Sequence, residues 1–181
     1  MKKFICLLLL ISIAFVSCDG RKTQNDLLNK AITEFNNKEA NLETFTIYPR
    51  EYTEVITDTL ISNKVNVRIK NFTSLNETVL IASTENQTSY HRVFKSEISI
   101  KSDNKNILKA TINAEDFANP EEIFWNNATL QQVWVNQDLT TVEEINLDMS
   151  FINPLDKSYK LYRMSVNQDG QQQINLIEEQ S

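Results

Sequence analysis

The sequence predicts a mostly-β fold, an antiparallel sandwich or open barrel of seven to eight strands, with an N-terminal helix and a short helical insertion. Three observations lead to this prediction. Apolar and polar residues alternate over most of the chain after residue 52. Stretches rich in Asn, Asp and Ser separate these segments at short intervals. Helical spacing of apolar residues is prominent in one segment near the start.

The first 17 residues have the composition of an export signal. A positive start precedes an apolar run from Phe4 to Val16, which is too short for a transmembrane helix of about 20 residues. Ordinary signal peptidase would cut after Ala14, whereas lipoprotein processing would cut before Cys18. Because Cys6 lies in the leader, Cys18 would be the only thiol of the mature chain. We therefore expect residues 1–17 to be a lipoprotein signal peptide and Cys18 to be the lipidation site.

Lipidation predicts a protein of the cell envelope, attached to a bacterial membrane through its N-terminal lipid. Residues 18–23 would form a lipidated tether. Residues 24–181 are about the size of one domain, and we expect a single β-rich domain that includes the N-terminal helix.

Composition excludes several classes of function. The net charge of −6 disfavours nucleic acid as a partner. The chain has two glycines, so phosphate loops and dinucleotide fingerprints cannot be built, and we expect no cofactor. With Cys18 lipidated, no thiol is left for disulfides or thiolate metal sites. His91 is the single histidine, so we expect no histidine-based metal site.

The N-terminal helix is predicted over Gln24 to Lys38. Its apolar stripe recurs at helical spacing and consists of Leu27, Leu28, Ala31, Ile32 and Phe35. We expect this stripe to pack on the sheet of its own domain, and the alternative is that it binds a partner.

Eight segments have the alternation of strands, and a turn at Asn71 to Asn76 is predicted between the first two. Polar turns at 102–106 and 168–170 would close hairpins. A helical insertion is expected between Asn113, which can cap a short turn, and Asn126. In chain order, the strand segments are Val65–Ile69, Glu77–Ser83, Tyr90–Ile100, Leu108–Ile112, Leu130–Asn136, Val142–Ile152, Tyr159–Asn167 and Gln173–Glu178. Alternation within Val142–Ile152 predicts inward side chains for Ile145, Leu147, Met149 and Phe151.

No catalytic set is visible in the sequence. The acidic pairs are adjacent along the chain, and neighbours on a strand face opposite ways, so none makes a local glycosidase pair. Carboxylates from different strands could still meet. A glycan hydrolase with two such carboxylates is therefore the alternative to a non-enzymatic protein.

The aromatic residues are the candidates for partner binding. Phe124, Trp125 and Trp134 could form a patch that stacks on a sugar or holds a peptide, because tryptophan combines a flat apolar face with a polar N–H. The competing interpretation, which we favour, puts these rings in the core, since a domain without disulfides needs its large side chains inside.

His91 and Arg92 are neighbours on a predicted strand, so they should face opposite ways. Parity groups His91 with charged residues and predicts that it faces solvent. Arg92 falls on an apolar face, where it should reach the sheet margin or pair with a carboxylate such as Asp116, Glu143 or Asp148.

Three motifs carry a resemblance to a known group of proteins. They are Tyr90-His91-Arg92-x-Phe94, then Phe124-Trp125-Asn126-Asn127-Ala128-x-Leu130-Gln131, and Phe151-x-Asn153-Pro154. Together they resemble a family of uncharacterised small lipoproteins from Bacteroidetes-type bacteria, over Tyr52 to Leu176. The resemblance implies a cell-envelope location and a β-rich domain, with no established activity. In that group an acidic run after the cysteine looks like a surface-export signal, but here Asp19 stands alone. We therefore expect an outer-membrane lipoprotein that faces the periplasm.

The expected function is that of a non-enzymatic envelope lipoprotein, which binds a protein or glycan partner through a sheet face or edge.

Overall fold

The structure is a computed structural model that describes residues 24–40, 44–84, 87–103 and 105–180. The chain divides into two compact units, Met1–Leu42 and Glu43–Ser181. The predicted signal peptide, the tether and Cys18 lie outside the described residues.

Within the first unit, helix α1 spans Gln24–Ala40, close to the predicted range. Asp26 lies in its first turn, where a negative charge is favourable for the helix dipole. Lys30 and Glu34 form an i,i+4 ion pair at 3.6 Å. The large apolar residues of the stripe are all about half exposed, namely Leu27, Leu28, Ile32 and Phe35. No helix among the described residues is long and apolar enough to cross a membrane.

Nine strands are described in the second unit, so the predicted mostly-β class is confirmed. In chain order they are β1 Thr44–Tyr48, β2 Glu54–Ile61, β3 Val65–Ser83, β4 Gln87–Ser102, β5 Lys105–Ile112, β6 Thr129–Val135, β7 Glu144–Ile152, β8 Tyr159–Asn167 and β9 Gln172–Gln180.

The strands form two sheets in a sandwich-like arrangement. The first sheet has the order β1-β4-β3-β2, and β5 pairs with the second half of the long strand β4. The second sheet is a simple antiparallel meander in the order β6-β7-β8-β9. The described strands do not close into a barrel. All pairings are antiparallel except that of β1 with β4.

The core lies between the two sheets and follows the period of two. The inward residues of β7 include Leu147, Met149 and Phe151, which are fully buried as predicted. They meet apolar residues from the first sheet, such as Val67 and Ile100. Every second side chain of each strand thus points inward, and together these side chains form one continuous apolar layer.

The predicted turn at Asn71 to Asn76 is wrong, because β3 runs through it without a break. Thr73 is buried there, and the irregular local sequence is absorbed by a register shift between Thr73 and Thr78. Tertiary contacts therefore override the local preference for a turn. The strands β1 and β2 were not singled out by the sequence.

The helical insertion is present as two short 3₁₀ turns, η1 (Ala114–Phe117) and η2 (Ile123–Asn126). Asn113 caps η1 as predicted, since its side chain accepts hydrogen bonds from two backbone N–H groups. The insertion carries Phe124 and Trp125 to the sandwich.

Side chains join the two sheets at β6. The amide of Asn71 donates to the carbonyl oxygen of Val133 at 3.0 Å and accepts from its N–H at 2.9 Å. The hydroxyl of Thr129 accepts from the backbone N–H of Phe94 at 2.8 Å. The Asn71 side chain thus occupies the place of a neighbouring strand against β6.

Candidate functional site

The predicted aromatic residues lie in two separate places. Trp125 is 8% exposed and packs edge-on against Phe151, with ring centroids 5.4 Å apart. Its buried Nε1 has no hydrogen-bond partner among the described residues. Trp125 is therefore a core residue, in agreement with the interpretation that we favoured. Phe124 lies beside it, half-buried, with its ring perpendicular to the indole at 4.8 Å.

Trp134 does not join this pair. It lies opposite Asp148 on β7, and cross-strand partners share a face of the sheet. Asp148 and Phe151 have opposite parity, so Trp134 is on the face that points away from Trp125. Trp134 is half-buried there and lies outside the core cluster, so the core interpretation is wrong for this ring. The structure thus joins Phe124 to Trp125 and separates both from Trp134.

A lysine between two carboxylates lies next to Phe124. Lys160 Nζ contacts the Oε2 atoms of Glu122 at 2.6 Å and Glu179 at 2.9 Å. It also lies 5.5 Å from the centre of the Phe124 ring. Burial disfavours the charge of Lys160, but the two carboxylates outweigh this effect and raise its pKa. The hydrogen bond from Lys160 lowers the pKa of Glu122.

These two carboxylates are close in space. The distance between their Oε2 atoms is at most the sum of the two distances to Lys160 Nζ. This upper limit is similar to the separation of roughly 5–5.5 Å between the two catalytic carboxyl groups of a retaining glycosidase. They line a groove of about 470 Å³ between the insertion and the ends of β8 and β9. However, Lys160 occupies the space between them, and both carboxylates bind it.

The strand β9 is the free end of the second sheet. Among the described strands it pairs with β8 alone, and each of its nine residues is exposed. Ile174 and Leu176 lie opposite Met164 and Tyr162, so their side chains are on the core side of the sheet. Each of these two β9 side chains remains 45% exposed. The opposite sheet therefore leaves this part of the core side uncovered.

Charges are absent from the first two thirds of β9. Its sequence from Gln172 to Ile177 contains neither charge nor proline, and Glu178 and Glu179 follow. Exposed edge strands usually carry such residues, because they prevent pairing with other chains. The edge strand β2 has the usual protection, with Asp58 paired to Arg68 at 3.1 Å across its centre.

The sequence did not identify β9 as special. The segment Gln173–Glu178 was predicted as a strand, but its position at a sheet edge depends on topology. Its uncharged centre is the signal that was available in the sequence.

The outer face of the second sheet holds an ion pair that sequence analysis missed. Arg163 Nε donates to Asp148 Oδ1 at 2.7 Å, and the Asn136 amide donates to the other carboxylate oxygen at 2.7 Å. Burial disfavours the charge of Asp148, but these hydrogen bonds outweigh it and lower its pKa. Asp148 is 4% exposed. This network joins β7 to β8 beneath the loop that follows β6.

Of the two outcomes expected for Arg92, pairing with a carboxylate does not occur within the described residues, and the guanidinium instead extends to backbone groups that are partly exposed. Its guanidinium donates to four backbone carbonyl oxygens, those of Pro49, Arg50, Ser74 and Leu75. A planar group with five donors can satisfy several carbonyls at once. His91 is half-buried instead of fully solvent-facing, and its Nδ1 lies 2.7 Å from the carbonyl oxygen of Arg92. Arg92 therefore joins the segment after β1 to the middle of β3 and does not form a site with His91.

Comparison with protein-family models finds no match, and comparison with curated proteins finds no significant similarity.

Proposed function

We propose that the protein is a non-enzymatic envelope lipoprotein that binds an extended segment of a partner protein along the edge of β9. Cys18 would carry the lipid, and the domain would face the periplasm from the outer membrane. The resemblance to small lipoproteins of Bacteroidetes-type bacteria supports this location. The acidic net charge supports a protein partner over nucleic acid.

The observation that carries the proposal is the unprotected edge of β9. A partner strand can pair with its free backbone groups, as in other complexes formed by strand addition. The exposed apolar side chains of Ile174 and Leu176 provide area that a partner would bury. An unpaired and uncharged strand edge promotes aggregation unless a partner covers it.

Charge and side-chain direction define the partner segment. Its residues on the core side should be apolar, because they would cover Ile174 and Leu176. Basic residues should lie on its other side or at the end near Glu178 and Glu179. The partner is therefore an extended segment in which apolar and basic residues alternate.

A capped nine-residue peptide of alternating valine and lysine is the probe for this proposal. In an NMR titration of the full chain, we expect amide shifts along β9. Ile174→Lys should weaken binding at least about tenfold, because it places a charge where the partner is apolar and basic. The matched control is Val55→Lys on the edge strand β2, which should leave binding unchanged.

Two results would contradict strand addition at β9. One is equal shifts along β2 and β9, which would indicate nonspecific association of an amphipathic peptide. The other is unchanged affinity in Ile174→Lys. A peptide with proline at its central positions should not bind, because it lacks the N–H groups that pair with the edge.

The lipid anchor has a separate test. Cys18→Ala should abolish labelling by a fatty-acid analogue and release the protein from the membrane fraction. Retention of the variant in membranes would refute the anchor and leave the β9 proposal intact.

The alternative function is that of a glycan hydrolase, and the observation that favours it is the proximity of Glu122 and Glu179, which both contact Lys160. A hydrolase needs one carboxyl to be protonated near neutral pH, whereas Lys160 lowers the pKa of Glu122. Release of reducing sugar from cell-wall glycan, lost in Glu122→Gln and Glu179→Gln, would support the hydrolase. We expect no such release.

A further inference from the structure

A second concave region lies away from β9. One wall is formed by the later part of β3 and the first part of β4, and the other by the helical insertion. The cleft has a volume of about 430 Å³, within the range of roughly 300–1,000 Å³ that is typical of small-molecule sites. Its lining does not include β9, Glu122 or Lys160. It is therefore a different site from the proposed protein-binding edge.

The apolar part of the cleft belongs to the rigid core. Ala114, Trp125 and Ala128 line it, and each is at most 8% exposed. Trp125 is held by stacking on Phe117 at 6.1 Å. Val79 and Val93 add small apolar surfaces from the opposite wall. A ligand would meet a preformed apolar surface that costs little to order.

The charges of the cleft are largely compensated. Lys95 Nζ lies 2.7 Å from Glu77 Oε2, and the hydrogen bond from Lys95 lowers the pKa of Glu77. Among the described residues of the lining, the only other charged one is Glu115. This described lining therefore has no uncompensated cation to attract an anionic ligand.

Three amide side chains line the cleft, those of Asn76, Asn113 and Asn126. Asn113 Oδ1 accepts from the backbone N–H groups of Glu115 at 2.7 Å and Asp116 at 3.3 Å. These bonds fix the orientation of its Nδ2, which donates to no atom of the described residues. The side chains of Asn76 and Asn126 likewise form no hydrogen bond within the described part of the chain.

We propose that this cleft binds an uncharged, hydroxyl-rich ligand, a sugar residue or the end of a glycan. Amides offer both donors and acceptors, and carboxylates offer acceptors, which together match the hydroxyl groups of a sugar. The apolar lining residues, Trp125, the alanines and the two valines, would contact the C–H groups of such a ligand. The compensated charges disfavour phosphates and acidic ligands.

The test is an NMR titration of the full chain with glucose, galactose and N-acetylglucosamine. At least one sugar should shift the side-chain amide signals of Asn113 and Asn126. Asn126→Ala should weaken that binding about tenfold by removing one or two hydrogen bonds. The matched control is Asn175→Ala, which removes an exposed amide on β9 and should leave sugar affinity unchanged.

A second variant keeps the test independent of single hydrogen bonds. Ala118 is exposed and lines the cleft, so Ala118→Phe should fill the cleft without disturbing the core, and should abolish sugar binding. Glycine and inorganic phosphate serve as charged probes. Cleft shifts caused by glycine or phosphate and by no sugar would overturn the proposal. Absence of cleft shifts with all three sugars at about 100 mM would also overturn it, because a millimolar Kd would give near-saturation there.

Discussion

The two edges of the second sheet, β6 and β9, differ in how their backbone groups are satisfied. At β6, the amide of Asn71 bonds both backbone groups of Val133, and Thr129 accepts from the first sheet. At β9, no other strand of the described chain pairs with the outer edge, and every residue is exposed. The fold therefore closes one edge with side chains and leaves the other available for a partner.

This difference shows how a single sheet can close one of its edges with side chains and leave the other edge open. The Asn71 side chain takes the place of one peptide group of a neighbouring strand, because its amide has the donor and acceptor that a peptide group has. The edge β2 is instead protected by charged residues along the strand. β9 has neither device between Gln172 and Ile177.

The largest effect should come from the ion pair that fixes β8, the strand on which β9 depends. Arg163→Met leaves the buried Asp148 carboxylate without its charged partner, and we expect a loss of about 3–5 kcal/mol in the free energy of unfolding. Urea denaturation measures it. The control is Arg68→Met on the exposed Asp58 pair, which should cost less than about 1 kcal/mol. Equal losses of unfolding free energy in Arg163→Met and Arg68→Met would contradict the expectation that the buried ion pair contributes more to stability than the exposed one.

Asn71→Ala tests the closed edge. It leaves the N–H and carbonyl of Val133 without partners in a half-buried location, at a cost of about 2–4 kcal/mol. Asn175→Ala is the same substitution on β9, and should change stability by less than about 0.5 kcal/mol. A small loss for Asn71→Ala would show that water replaces the amide at β6, and the contrast between the edges would then disappear.

The sequence predicted the fold class because its alternation records which side of each strand faces the core. Leu147, Met149 and Phe151 were assigned inward on that basis, and they are fully buried. The continuous strand β3 could not be foreseen, since its central residues favour a turn and are held extended by Arg92 and by packing across the sheet. Local preferences cannot include such distant contacts.

The candidate sites were less predictable for the same reason. Trp125 and Trp134 look equivalent in the sequence. In the structure, the turn η2 places Trp125 in the core, whereas Trp134 lies on the opposite face of the second sheet. The free edge at β9 and the cleft at Trp125 depend on the order of the strands in the folded sheets, and alternation does not specify that order. The alternation of apolar and polar residues identifies a strand, whereas the sheet topology decides which strand lies at the edge.

Asp148 gives the network on β7 and β8 a predicted pH dependence. Its pKa is lowered in the folded state, so its stabilising effect is complete above the unfolded pKa of about 3.9 and is lost as the pH falls through the folded value. The melting temperature of Asp148→Asn should therefore fall less steeply below about pH 4 than that of the unaltered protein. Parallel slopes in acid would contradict this assignment.

Ile174→Lys should have only a small effect on stability. The side chain is 45% exposed, and a lysine can extend to solvent from this position, so the loss should stay below about 1 kcal/mol. The same substitution should reduce self-association at high concentration, because a charge on an edge strand opposes pairing. Analytical ultracentrifugation of both proteins measures this. Increased association in the variant would contradict the proposed role of the edge.

Amide hydrogen exchange tests the central contrast most directly. With the valine–lysine peptide at saturation, exchange should slow at least about tenfold at those β9 amides that do not pair with β8, as new hydrogen bonds form. Amides of β6 and β2 should keep their rates, because β6 is closed by Asn71 and β2 is protected by its charges. Unchanged exchange along β9, or equal protection along β2, would contradict the account.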